Sequence, residues 1–224
     1  MLRCLSIALL IGTGSATIAQ TAPSPREIAT YDGLFKAAHE GDVSAIRQLA
    51  AAGADVNARD AAGRTPIHVA SFASRDDALR ALAAAGADMN ALDGDAYDVV
   101  TIAAVADDPD LMSLAIELGN DPGLVTSPYD GTALIAAAHL GHAEVVRRLI
   151  GAGAPLDHVN NLRWTAVMES VVLGDGGPDH QAVLDALLDA GADRSLADSA
   201  GVTPLRHAES RGYAEMAERL RMGD

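Results

Sequence analysis

At 224 residues the chain has the length of one ordinary domain, and its formal net charge of −15 argues against the clustered Lys and Arg footprint of a nucleic-acid or anionic-membrane binder. Aromatic residues make up only 3% against 49% hydrophobic, which excludes a core built on large rings and favours thin helices packed through Ala and Leu. The single cysteine, Cys4, lies in the leader described next, so the rest of the chain has no disulfide, thiolate nucleophile or zinc–thiolate ligand.

Residues 1–19 read as a secretory signal peptide: Arg3 supplies the positive start, Cys4 to Ile11 the apolar run, and Thr17-Ile18-Ala19 a small-residue end with cleavage expected after Ala19. The run is shorter than the ~20 residues that span a bilayer. Cys4 sits inside it rather than at the cleavage point, which argues against lipidation. The expected destination is the periplasm of a Gram-negative bacterium, or secretion, with no membrane attachment after cleavage. Residues 20–30, with Pro23 and Pro25 among Ser and Thr, read as a mobile linker.

From residue 31 the chain repeats itself. Gly53-Ala54-Asp55-Val56-Asn57 returns as Gly86-Ala87-Asp88-Met89-Asn90, with the Asp60 to Gly63 turn and the tetrad Thr65-Pro66-Ile67-His68 between the copies. Aligned on Thr65, the units start at Asp32, Thr65, Asp98, Thr132, Thr165 and Thr203, in steps of 33, 33, 34, 33 and 38 residues. Within a unit Thr65 is placed to cap a helix that Pro66 opens, and His68 to tie adjacent units together. Ala70 keeps that helix thin, Leu79 and Leu82 turn inward from a second helix, and Gly86 ends it in the left-handed region. This period and tetrad resemble the ankyrin-repeat family. The resemblance implies an all-α solenoid of about six helix-turn-helix repeats with β-hairpin fingers, over approximately 31–59, 60–92, 93–125, 126–159, 160–197 and 198–224.

The third unit is the most eroded, with Asp98-Val99-Val100-Thr101 for the tetrad and Asn120-Asp121-Pro122-Gly123 for the Ala-Asp-Val-Asn turn. One extra residue falls in the finger holding Pro128-Tyr129-Asp130-Gly131. Five more fall in the fifth unit, in the loop Gly174 to His180, which reads either as a tolerated surface loop or as part of a binding face. The first unit has no finger before Leu34 and the last helix, Ala214 to Arg221, is charged on one side. Both fit polar capping repeats of a whole protein.

The seven histidines are scattered, and neither an HExxH motif, a Gly-x-Ser-x-Gly elbow nor a phosphate loop is present. The sequence therefore reads as non-enzymatic, without cofactor or metal. Partners of the ankyrin family usually meet finger tips and the concave side of the first helices. Those positions here are Arg64, Tyr97, Tyr129 and Trp164 on fingers, and Phe72, His139, Leu140 and Val172, with Val105 and Leu173, late in the first helices. Three of the five Trp and Tyr residues fall on fingers, and such rings dominate interfaces. The expected function is a monomeric module that binds another protein, with stress protection alongside catalase or toxin immunity as roles the resemblance implies. The rivals are a small hydrolase with carboxylates or histidines clustered in an acidic groove, and a scaffold that self-associates through its ends.

Overall fold

The computed structural model describes residues 21–222, so the expected leader lies outside the described residues. The body consists of six helix pairs: α2 (Gly33–Glu40) and α3 (Val43–Ala51), α4 (Pro66–Phe72) and α5 (Asp76–Ala84), α6 (Val99–Val105) and α7 (Pro109–Glu117), α8 (Ala133–Leu140) and α9 (Ala143–Gly151), α10 (Ala166–Val172) and α11 (Pro178–Asp189), α12 (Pro204–Arg211) and α13 (Ala214–Arg221). First helices pack on first helices from α2 to α12, with the second helices behind them. The fully buried residues come from both helices of a pair, mostly small or β-branched on first helices, such as Ala70, Val99 and Ala137, and often larger on second helices, such as Ile46, Leu79, Leu82, Leu111 and Leu149. Each pair has too little of this to fold alone, so stacking supplies the core. No helix among the described residues is long and apolar enough to cross a membrane.

Three rows of hydrogen bonds run along the stack. Fingers are joined by Gly94 N–H to Ala62 O (2.9 Å), Ser127 N–H to Ala96 O (2.8 Å) and Asn161 N–H to Tyr129 O (3.0 Å). At the far turns, Asn57 Oδ1 accepts from Asp88 N–H (2.8 Å) and Asn90 Oδ1 from Asp121 N–H (2.7 Å). Between the helices of the second, fourth, fifth and sixth pairs, Arg75, His142, His180 and Tyr213 reach back to carbonyls of the preceding repeat: His39 O, Ala104 O, His139 O and Gly174 O. His68 adds the expected tie. Thr65 N–H donates to its Nδ1 (3.1 Å), which leaves Nε2–H to donate to Tyr97 O (3.0 Å), and burial keeps the ring neutral.

The fingers depart from the expected hairpins. Among the described residues only one carries strands, β1 (Val125–Thr126) paired antiparallel with β2 (Gly131–Thr132). In the other four, one side chain closes the turn. Oδ1 of Asp60, Asp93, Asn160 and Asp198 each accepts two N–H groups, at 2.9–3.0 Å, from the residues two and four positions on. Ser127 holds that place in the fourth finger with longer bonds, 3.3 Å to Tyr129 N and Gly131 N, and strand pairing takes over.

Three further stretches differ from expectation. Where a mobile linker is expected, Ser24 caps a helical turn, α1 (Pro25–Ile28), and Glu27 pairs with the Arg64 guanidinium. In the eroded third repeat Asp98 Oδ1 takes the Thr101 N–H (2.8 Å) and hydroxyl (2.6 Å), while its Oδ2 accepts from Asn120 (2.8 Å). A buried polar network thus replaces the lost motif. The long fifth-repeat loop is partly absorbed into α11, which has 12 residues where α9 has 9, and the rest is tied down by His180 and Tyr213.

The residue before the turn closes sits left-handed in every finger. It is glycine in the second and sixth repeats, Gly63 and Gly201 (both φ +74°), and a Cβ on Gly63 would also meet the backbone N of Gly94 at 2.8 Å. In the third, fourth and fifth repeats it is Ala96 (φ +62°), Asp130 (φ +55°) and Arg163 (φ +65°). A left-handed alanine is strained by roughly 1–2 kcal/mol, more than the backbone entropy that glycine loses. Ala96→Gly is therefore expected to stabilise the chain by about 0.5–1 kcal/mol in urea unfolding. The reverse sign, usual for Ala→Gly in a helix, would mean that the turn is unstrained.

Candidate functional site

A cavity of about 350 Å³ opens on the face shared by fingers and first helices, across repeats three to five. Its walls are aromatic and aliphatic: Tyr97, Tyr129 and Trp164 from three fingers, with Leu162, Ile135 and Leu173. Thr101 and Thr126 also line it, their hydroxyls 2.9 Å apart, which connects the wall to the Asp98 network behind. Trp164 and Leu162 owe their places to Asn160, whose Oδ1 fixes both backbone N–H groups.

Two ionisable side chains stand in this apolar setting. Glu169, on α10, is buried, and its Oε1 accepts from Asn160 Nδ2 (3.0 Å). Burial pushes its carboxyl up to about 7, against the lowering effect of the Asn160 bond. His139, on α8, brings Nδ1 to 3.6 Å from Glu169 Oε2, too far for a hydrogen bond. Burial, and then the nearby His180 and His142, hold His139 below the usual histidine value. Glu169 thus ionises only around pH 7, where His139 is already held towards its neutral form, and the contact is no ion pair there.

Of the residues expected to meet a partner, Tyr97, Tyr129, His139 and Trp164 come together here, with Leu173 beside them. Phe72, Leu140 and Val172 are not brought to the cavity: Phe72 and Val172 are half-buried at the ends of α4 and α10, and Leu140 is exposed at the end of α8. Two finger assignments need correcting. Arg64 and Tyr97, at 2% and 3% exposure, are not surface contacts. They occupy the position that closes the finger turn, where Gly131 is also buried and Trp164 half-buried. The Arg64 guanidinium is covered by the N-terminal segment, bonded to Asp60 Oδ2 (2.8 Å), Glu27 and Thr21 O. Tyr97 contributes to the cavity from its wall.

Glu169 was not foreseen from the family positions, yet the sequence holds its signal. Four residues after the starts of the second to sixth units stand Val69, Ile102, Ala136, Glu169 and His207, so a carboxylate enters a slot that the three preceding repeats keep apolar. In the same repeat, and only there among the Asp-type finger closures, asparagine replaces aspartate. The amide supplies the donor that Glu169 needs. Sequence comparison of equivalent slots, rather than of motifs, finds this pair. The hydrolase rival expects several clustered carboxylates or histidines. The cavity holds one such pair, and among the described residues no group of three or more His, Asp or Glu is placed to hold a metal.

The profile of the family described as "Ankyrin repeats (3 copies)" matches residues 8–93 and 100–198. The chain is similar to the Escherichia coli (strain K12) ankyrin repeat protein YahD, 34% identical over 185 residues that cover 82% of this chain and 92% of that protein. It is also similar to the crystal structure of an ankyrin repeat domain from Acinetobacter baumannii AYE, with 40% identity and a TM-score of 0.79, covering 84% of this chain and 96% of that one. A chain of the Bdellovibrio bacteriovorus predatory endopeptidase in complex with an immunity protein shares the fold at 22% identity and a TM-score of 0.70, over 87% of this chain and 99% of that one.

The raised Glu169 carboxyl makes a signed prediction. The folded chain holds a proton that the unfolded chain has released between pH 4.5 and about 7, so this group's effect on stability worsens as pH rises through that window. Glu169→Gln keeps the oxygen that faces Asn160 and removes the titration. It is expected to be more stable than the wild type by about 2–3 kcal/mol above about pH 7.5, with the difference vanishing towards pH 4.5, in denaturant unfolding followed across pH. A variant less stable at high pH would show instead that Glu169 and His139 are a charged pair.

Proposed function

The chain belongs to the ankyrin-repeat family, and we propose that it binds one protein partner through the face formed by fingers and first helices, centred on the cavity of repeats three to five. Ankyrin repeats are protein–protein interaction modules, and their proteins are generally non-enzymatic. The observation that carries the placement is the convergence of Tyr129 and Trp164 with the exposed Leu162 around one opening, over a wall that includes the buried Tyr97. Large rings on a prearranged scaffold bury area at small entropic cost, as binding hot spots do. The same three repeats carry the left-handed non-glycine fingers, and backbone strain of that kind collects at functional sites.

An acid–base enzyme is the weaker reading. Its only support is the His139–Glu169 pair, whose 3.6 Å separation leaves no hydrogen bond for a proton relay. Among biological roles, toxin immunity has a structural parallel in the Bdellovibrio endopeptidase complex, though that likeness at 22% identity carries the fold alone. Stress protection alongside catalase is the other role within the same binding function. The protein acts, in this proposal, as a monomer in the periplasm or outside the cell.

Two measurements test this. Intact mass of the exported protein is expected to correspond to a chain that begins at Gln20; retention of residues 1–19 would remove the periplasmic assignment. A photocrosslinking residue placed at Leu162 is expected to capture a discrete partner in cells, whereas one at Ala84, on a second helix, captures none. The Trp164→Ala, Tyr129→Ala double variant should lower the Leu162 yield by more than about tenfold, the size expected for loss of hot-spot rings. Equal capture from both positions, or an unchanged yield in the double variant, would place the interface elsewhere.

A further inference from the structure

The cavity has a chemical preference that follows from how its one carboxylate is bonded. Glu169 Oε1 is satisfied by Asn160, and the Asn160 Oδ1 is itself occupied by two finger N–H groups. Glu169 Oε2 has no hydrogen bond; its nearest ionisable neighbour, His139 Nδ1, stands at 3.6 Å. The carboxylate is thus buried, held in position from one side and open on the other, behind walls of Trp164, Tyr129 and Tyr97. An apolar group entering the cavity would leave Oε2 dry and unpaired, which is costly, and an anion would be repelled. A cation satisfies the oxygen and is attracted by aromatic side chains such as those of the walls. A guanidinium suits this better than an ammonium, because it is planar, weakly hydrated and stacks on rings while it donates to a carboxylate.

Resting on the protein-binding reading above, we propose that the cavity receives an arginine side chain of the partner, with its guanidinium donating to Glu169 Oε2 between the aromatic walls. The cavity, about 350 Å³, lies at the small end of ligand-sized clefts, enough for one long side chain rather than a folded element. The chain's net charge of −15 favours a basic partner in the same sense. Seating the cation requires the ionised carboxylate, so arginine binding expels a proton from Glu169 to solvent and strengthens as pH rises. The other groups around the carboxylate act in the same direction or not at all. His139 on α8, held below the usual histidine value by burial, repels the cation only once protonated in acid. Burial raises Tyr97 to about 12, and Asn160 does not titrate.

Trp164 is the only tryptophan, so its fluorescence reports the cavity directly. The mature chain is titrated with the blocked peptide acetyl-Gly-Arg-Gly-amide, with the same peptide carrying citrulline, which has the shape of arginine without its charge, and with free arginine. The arginine peptide is expected to give a saturable change, with citrulline at least about tenfold weaker. Affinity should fall about tenfold between pH 8 and pH 6, and Glu169→Gln should abolish both the preference and the pH dependence. Glu169→Gln is expected to fold at least as stably as the wild type, so loss of binding is not loss of fold. Equal binding of arginine and citrulline peptides, or no saturable change, would overturn the proposal. Tighter binding of free arginine than of the blocked peptide would overturn it in favour of a small-molecule site. Photocrosslinking at Leu162 that persists in Glu169→Gln, alongside a failed titration, would sink the arginine anchor and leave the docking face intact.

Discussion

One side-chain oxygen per finger sets the geometry on which the site depends. A finger of five residues turns back too tightly for a ladder of backbone bonds, and the N–H groups inside the turn would be unsatisfied without an acceptor. Oδ1 of an aspartate or asparagine takes two of them at once, and the backbone bond from residue one to residue five closes the ring, as in Asp93 N to Tyr97 O at 2.8 Å. The turn so fixed presents the next finger with a carbonyl, and the stack acquires its register from that bond. Where serine replaces the carboxylate, the acceptor is weaker, one residue is added, and short strands appear. The fourth finger is therefore the exception that shows what the acceptor does elsewhere.

The same atom links fold to function in the fifth repeat. Aspartate and asparagine serve equally as turn acceptors, because only Oδ1 is used. They differ at the second position of the side chain: aspartate offers another acceptor, asparagine a donor. Next to a buried glutamate only the donor is tolerable, since two carboxylates in an apolar wall would repel. Asn160 and Glu169 are thus one substitution in two places. In the sixth repeat the corresponding pair is Asp198 and His207, bonded at 2.8 Å, which is the same exchange with donor and acceptor reversed. The slot pair is a position where this scaffold accepts polar chemistry without disturbing the turn.

Much of this was legible in the sequence, and what was missed has a physical reason. Spacing, the caps and the terminal glycines gave the six helix pairs, because those features are local and each has one structural meaning. The cluster of Tyr97, Tyr129, His139 and Trp164 was legible too, since equivalent positions in stacked units are neighbours. The exposure of each position was not legible. Fingers project, which suggests surface contacts at Arg64 and Tyr97; yet the turn-closing position faces inward, and the Arg64 guanidinium is covered by Glu27 and Thr21, from a segment outside the repeat pattern. The helical turn at Pro25–Ile28 was hidden for the same reason, its partner being distant in sequence. Glu169 carries no signal by itself, because a glutamate in a helix is ordinary until it is compared with Val69, Ile102 and Ala136.

The energetics explain why such a site sits in the middle of the stack. Stability in a solenoid is shared between neighbours, so a repeat packed on both sides can carry local costs that an end repeat cannot. The third to fifth repeats carry them in three forms: left-handed residues that are not glycine, a motif replaced by a buried aspartate network, and a glutamate held near neutrality by burial. None of these improves packing, and each departs from the unit that the second repeat represents. Local choices that conflict with the fold are expected where something other than stability is selected. An unliganded carboxyl that is costly to ionise is a poor structural element. It becomes a selective one when the ion that satisfies it must be brought by the partner, because the desolvation has already been borne in folding and only a cation of the right shape recovers it.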